Sequence, residues 1–301
     1  MDTNNHKICK IIVKQKRILF LLLTLPLMCW LYRRTFSQTI QSFSDPVGSM
    51  SHGWLIPVFS ACALWRQRAS LRDSAKSCSI IGVFGILLSL ALLGPGYTHA
   101  LLWLRQLSFI SMLWSLINVL WGWEVAKLSM FPVWYLIFTI SIPSVLENLI
   151  LKLQDISTTA SFYLMHGFGY KIFQQGNALL SSIEGSEFQF NIAGACSGVR
   201  SLLALTAFTA LYAWYAQKTV ASKWVLFLCS VPIAVICNVT RVFSICLVAT
   251  MFGQEAAVGY YHDYSGYVIV LIAIVLIFRT GGAIDGLSGW LKVVRSSTTS
   301  G

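Results

Sequence analysis

The chain has 301 residues, 56% of them hydrophobic and only 11% charged, with a formal net charge of +11. Soluble domains carry about 25% charged residues, so this composition excludes an ordinary soluble domain and points to an all-α polytopic membrane protein. The Lys and Arg residues fall between apolar segments rather than in one patch, and no nucleic-acid motif is present; nucleic acid is therefore excluded as a partner and the lipid bilayer is the expected surrounding.

Residues 1–17 form a basic N-terminal segment containing Lys7, Lys10, Lys14, Lys16 and Arg17. The apolar run after it resembles a signal peptide, but Tyr32-Arg33-Arg34 follows where a small-residue cleavage site would stand, so it reads as an uncleaved membrane helix. Eight apolar segments are candidate spans: 18–36, 53–65, 80–97, 99–121, 131–150, 196–216, 224–252 and 264–280. The second is short and holds Pro57; the seventh holds Pro232, which is expected to kink it. With the N-terminus inside, the inner segments 1–17, 66–79, 122–130, 217–223 and 279–301 carry most of the 22 Lys and Arg, and the outer segments carry only Arg33, Arg34, Lys152 and Lys171. The positive-inside bias thus predicts eight transmembrane helices with both termini cytoplasmic. The organisation is a cytoplasmic N-terminus (1–17), a membrane domain (18–280) and a polar, frayed cytoplasmic tail (281–301).

The longest outer segment is 151–195. It is read as a short interfacial helix around Ser161–Leu180, then an extended stretch over Glu187–Ile192, where polar and apolar residues alternate. No internal repeat is evident, which argues against a transporter of inverted halves. The eight cysteines show no CxxC and no zinc-ligand grouping, so neither a metal site nor a disulfide framework is expected. Cys29, Cys62, Cys229, Cys237 and Cys246 lie in apolar runs and read as small core residues.

Gly194-Ala195-Cys196-Ser197-Gly198-Val199-Arg200-Ser201 joins a small-residue turn to the sixth apolar segment. On a helix Cys196 and Arg200 would share a face, and a cation and a helix N-terminus both favour the reactive thiolate. A buried cysteine with a snorkelling Arg200 is the competing reading. An arginine inside a span costs about 2.5–3.5 kcal/mol on insertion scales and is functional by default; Arg241, in Asn238-Val239-Thr240-Arg241, is such a residue. Asn238 lies three residues earlier on nearly the same face and is placed to orient the guanidinium. Arg105, one turn inside the fourth segment, is explained by snorkelling. His262 precedes the eighth segment, and His52 opens the second. The topology puts Cys196, Arg241, His262 and His52 at the outer side. A thiol nucleophile needs a base or a lowered pKa; His262 is suited to move the proton and Arg241 to hold the developing oxyanion.

Four motifs in order carry a family resemblance: Ser51-His52-Gly53-Trp54-Leu55-Ile56-Pro57, Ala195-Cys196-Ser197-Gly198-Val199-Arg200-Ser201-Leu202, Asn238-Val239-Thr240-Arg241-Val242 and His262-Asp263-Tyr264-Ser265-Gly266-Tyr267. Over roughly residues 20–280 the chain resembles the exosortase/archaeosortase family of membrane cysteine transpeptidases. The resemblance implies Cys196 as nucleophile, Arg241 as charge stabiliser and His262 as acid or base, with Ser197, Arg200, Asn238 and His52 supporting or positioning substrate. It implies exported substrates with a C-terminal sorting signal (a short motif such as Pro-Glu-Pro, a membrane helix, a basic tail), a thioester intermediate, transfer to a lipid or amine acceptor or to water, no cofactor, and a site on the extracytoplasmic face of the cell (inner) membrane. Many relatives carry an acidic residue two positions before the cysteine; here it is Gly194. Some relatives carry an additional C-terminal domain; here a short tail follows the last span. A transporter or channel with Arg200 and Arg241 lining an anion path, or a non-catalytic component of polysaccharide export, are the alternatives. Both would tolerate loss of the thiol.

Overall fold

The computed structural model describes residues 19–45, 50–74, 79–142, 144–181, 188–191 and 199–298. The chain divides into two compact units, Met1–Ile142 and Pro143–Gly301.

In the first unit, α1 (Leu19–Leu31) bends by 59° into α2 (Arg33–Ser44). The bend falls at Tyr32, inside the expected first span. Tyr32 is fully buried and its hydroxyl is 2.7 Å from Ser108 Oγ. A single 3₁₀ turn (Ser51–Trp54) leads into α3 (Leu55–Arg66) and then α4 (Arg68–Asp73). Helices α5 (Ile80–Thr98) and α6 (Leu102–Trp121) form a closely packed hairpin. Gly82 permits the approach: a Cβ there would lie 2.7 Å from the Val119 backbone nitrogen. Met28, Tyr32, Leu93, Met112 and Leu116 pack together as this unit's apolar cluster.

After α7 (Trp123–Trp134) and a 3₁₀ turn (Tyr135–Thr139) the helix stops, so the expected span at 131–150 is not one continuous helix. Pro143 disfavours helical backbone in the residue before it. Gln106, buried on α6, meets the broken backbone: Oε1 accepts from Ser141 N at 2.8 Å, and Nε2 donates to the Thr139 carbonyl at 3.3 Å and to Thr39 Oγ1 at 2.9 Å.

The second unit opens with α8 (Ser144–Gly167). A three-stranded antiparallel sheet follows, in the order β1 (Phe173–Gln175), β2 (Ala178–Ser181), β3 (Phe188–Asn191). The expected helix around Ser161–Leu180 is corrected: it ends at Gly167, and Gly176-Asn177, with Gly176 at φ +58°, makes a two-residue hairpin turn. Within the expected extended stretch at 187–192, Phe188–Asn191 is β3, with Leu179 paired to Phe190. Three helices complete the unit: α9 (Val199–Ala216), α10 (Val220–Phe252) and α11 (His262–Thr298). Helix α10 runs unbroken through Pro232, and α11 continues well past the expected end at 280. Leu205, Ala213, Leu226, Ala234, Ala273 and Ile277 bind these three helices together. Beyond this cluster Gln217 Nε2 donates to the Gly281 carbonyl at 3.2 Å and to Asp285 Oδ2 at 3.3 Å. Gly281 permits close packing, since a Cβ there would lie 3.0 Å from the Tyr212 ring.

Among the described residues, three helices are long and apolar enough to cross a membrane: Ile80–Thr98, Val220–Phe252 and Tyr264–Leu287. The bent pair α1–α2 makes a fourth if it counts as one span. Helix α6 matches the expected fourth segment in position but carries a seam of buried polar side chains, Arg105, Gln106, Ser108, Ser115 and Asn118. The second expected span is a helix of only 12 residues. The described cysteines also need a correction: Cys237 and Cys246 are buried as expected, but Cys29 and Cys62 are exposed at the protein surface.

Candidate active site

The second unit builds its polar centre from the end of α10 and the start of α11. Helix α10 is fixed at both ends. Thr219 Oγ1 caps it by accepting from Ser222 N at 3.1 Å. Gly253, at φ +87°, terminates it with a hydrogen bond from its N–H to the Ala249 carbonyl. A short turn (Gln254–Ala256) and a wider π-type turn (Ala257–Tyr261), broken at Gly259, reverse the chain so that His262 starts α11. Wide turns of this kind recur at functional sites.

This reversal sets the first turn of α11 against Arg241. Arg241 Nη2 donates to the His262 carbonyl at 3.3 Å and lies 3.4 Å from His262 Nε2. Ser265, buried one turn on, donates its hydroxyl to the same carbonyl at 3.0 Å. Gly266 makes room for the guanidinium: a Cβ there would lie 3.2 Å from Nη2 and 3.5 Å from Cζ. Arg241 Nε is buried and has no hydrogen-bond partner among the described residues. The guanidinium is therefore held on one side by α11 and retains an unused donor.

The backbone below Arg241 is anchored from the other direction. Ser161 on α8 donates to the Val239 carbonyl at 3.2 Å. Met165, Ile172, Leu179, Val242, Ile245 and Ala257 pack as one core, which ties α8, the hairpin and the reversing turn to this end of α10. Strand β3 also contacts α10. A fixed guanidinium beside an imidazole is suited to two tasks: holding an anionic oxygen, and moving a proton at the adjacent ring.

The structure thus brings together Arg241 and His262, which the sequence reading places only on the same side of the membrane. Cys196 and Ser197 lie outside the described residues; β3 ends five residues before Cys196 and α9 begins three residues after it. Arg200 is exposed in the first turn of α9. Asn238 is a correction: it is buried, but its Oδ1 has no hydrogen-bond partner among the described residues, so that oxygen does not orient the guanidinium. His52 belongs to the first unit, in the 3₁₀ turn before α3, where its carbonyl accepts from Leu55 N. Arg105 is the second correction: it does not snorkel but is 5% exposed and packed over Tyr97. Sequence reasoning assigned no role to Ser265 or Gly266. The small-residue pair three and four positions after His262, one helical turn on, was the available signal.

Fold and site define a multi-pass helical membrane protein with an arginine–histidine pair at a helix-to-helix reversal. The family model described as transmembrane exosortase (Exosortase_EpsH) matches residues 44–279, and the chain belongs to the exosortase family. No curated protein and no solved structure matches the chain.

Proposed function

We propose that this protein is a membrane cysteine peptidase or transpeptidase acting on the C-terminal sorting signals of exported proteins. The observation that carries the reading is the contact of Arg241 with His262, two residues that the family motifs mark and that lie 21 positions apart in the chain. Cys196 is the nucleophile. Its thiolate attacks the carbonyl carbon of a peptide bond, and the negative charge that develops on the carbonyl oxygen is met by the Arg241 guanidinium. The C–N bond breaks, His262 delivers a proton to the departing amine, and a thioester to Cys196 remains. An acceptor amine or water then loses a proton to His262, attacks the thioester, and the thiolate leaves. Arg200 and the start of α9 favour the thiolate; Ser197, Asn238 and His52 position substrate.

The topology that accompanies this chemistry has eight spans with both termini cytoplasmic and the site at the extracytoplasmic face of the cell membrane. It is supported by the distribution of Lys and Arg between the apolar segments. Loss of the thiol separates this reading from an anion path, which needs the arginine at position 241 but no thiol at position 196.

The test is capture of the intermediate. Membranes containing the protein and its host's exported proteins are digested, and the peptide carrying Cys196 is weighed with and without neutral hydroxylamine. The proposal expects an acyl adduct that hydroxylamine removes. An unmodified Cys196 peptide in membranes that actively trim exported C-termini would overturn it.

A further inference from the structure

The first unit holds a second buried arginine. Arg105 lies in the first turn of α6 and is only 5% exposed. Its guanidinium carbon sits 5.0 Å from the centroid of the Tyr97 ring. Gly96 shapes the seat: a Cβ there would lie 2.7 Å from Arg105 Cγ, so only glycine lets the side chain lie back against α5. Arg105 Nε is buried and has no hydrogen-bond partner among the described residues.

A buried cation with an unpartnered donor is costly, and native proteins normally pair it. The cation–π contact with Tyr97 offsets only part of this. The neighbourhood adds further positive potential. Leu101 gives α6 no side-chain cap, and the N-terminus of this 20-residue helix adds positive potential in the turn that carries Arg105. Tyr97 also donates its hydroxyl to the Leu31 carbonyl at 2.8 Å, and the exposed Arg33 and Arg34 follow directly in the chain.

We propose that Arg105, with the start of α6, binds a phosphate group. The planar guanidinium fork and a helix N-terminus suit a tetrahedral oxyanion. Tyr97 bounds the position at the end of an apolar helix, as aromatic residues do at headgroup level, where membrane phosphate is concentrated. The phosphate is either that of a phospholipid headgroup or free in solution. The site rests on residues of the first unit alone.

The experiment uses the full-length protein in detergent without added phospholipid. Thermal unfolding is followed while inorganic phosphate, short-chain phosphatidylglycerol or phosphate-free short-chain diacylglycerol is titrated. A saturable rise in Tm is expected with at least one phosphate-bearing probe and not with diacylglycerol. Arg105→Gln should weaken the apparent affinity at least tenfold, and Arg105→Lys, which keeps the charge but loses the fork, by less. Lys127→Gln, an exposed cation on α7, should leave it unchanged. Saturation by inorganic phosphate supports a site for the free ion; saturation by phosphatidylglycerol alone supports a headgroup site. The proposal is overturned if neither phosphate probe raises Tm, or if Arg105→Lys and Lys127→Gln alter the affinity equally. The Arg105→Lys comparison carries the test if Arg105→Gln does not fold.

Discussion

Arg241 Nη2 reaches both the carbonyl oxygen and the ring of His262, at 3.3 and 3.4 Å, and so joins α10 to α11 just past the turn that reverses the chain. Each residue thereby fixes the other: the guanidinium holds the first turn of α11, and the helix start holds the guanidinium. Two groups held in this way should act as one unit.

The first prediction follows from that coupling. On the proposed mechanism Arg241→Gln removes the group that meets the oxyanion, and it should lower the rate of processing by about 10²–10³-fold. His262→Ala should lower it by about 10²–10⁴-fold. The double variant should be little worse than the poorer single one, because effects within a unit are not additive. Processing of an exported reporter in isolated membranes gives the three rates; full multiplicative loss in the double variant would show that the two act independently.

Gly266 gives a second prediction. A methyl group at this position would press on the Arg241 guanidinium from 3.2 Å. Gly266→Ala should therefore reduce processing by about tenfold, since small misplacements of a positioning group are costly, while the protein still accumulates in the membrane. Gly282, where an added Cβ meets nothing within 4 Å, is the contrast: Gly282→Ala should leave processing unchanged. Equal effects of the two substitutions would remove the argument from guanidinium placement.

Gln106 gives the third. It supplies hydrogen bonds to Thr139, Ser141 and Thr39, where the helix after α7 breaks. Gln106→Leu leaves backbone groups without partners and should cost about 1–3 kcal/mol for each one left buried. Thermal unfolding in detergent should show a clear fall in Tm. An unchanged Tm would mean that water or lipid headgroups satisfy the break.

Much of the helical fold was legible in the sequence because uniformly apolar segments announce themselves. The run 80–97 became Ile80–Thr98, one residue longer, and 224–252 became Val220–Phe252, which starts four residues earlier and ends at the same residue. The alternation at 187–192 announced β3. The remainder depended on contacts that lie far apart in the chain. The break before Pro143 is stable because Gln106, more than thirty residues earlier, meets its backbone. Arg105 was read as snorkelling because the spacing does not reveal that Gly96 clears a seat for it on α5. The hairpin at 173–181 did have a local signal, Gly176-Asn177 between two short runs with strand character, but the apolar content around it favoured a helix.

The candidate site was legible as a set of residues and not as a geometry. The cost of an arginine within an apolar segment singled out Arg241, and its nearest partner, His262, was identifiable by type. That the two meet follows from Gly253 ending α10 and the turn Ala257–Tyr261 reversing the chain, which no periodicity encodes. Asn238 had the right spacing for a partner of Arg241, but its Oδ1 meets no hydrogen-bond donor among the described residues.

The central claim is that the Cys196 thiol cuts exported proteins near their C-termini. Its most direct test compares membrane and secreted proteins of host cells carrying the wild type, Cys196→Ala or Cys62→Ala at equal abundance, with C-termini read by mass spectrometry. The account predicts that at least one exported protein keeps its hydrophobic C-terminal tail in Cys196→Ala and loses it in the other two. Identical C-termini in all three, with each protein folded in the membrane, would contradict it.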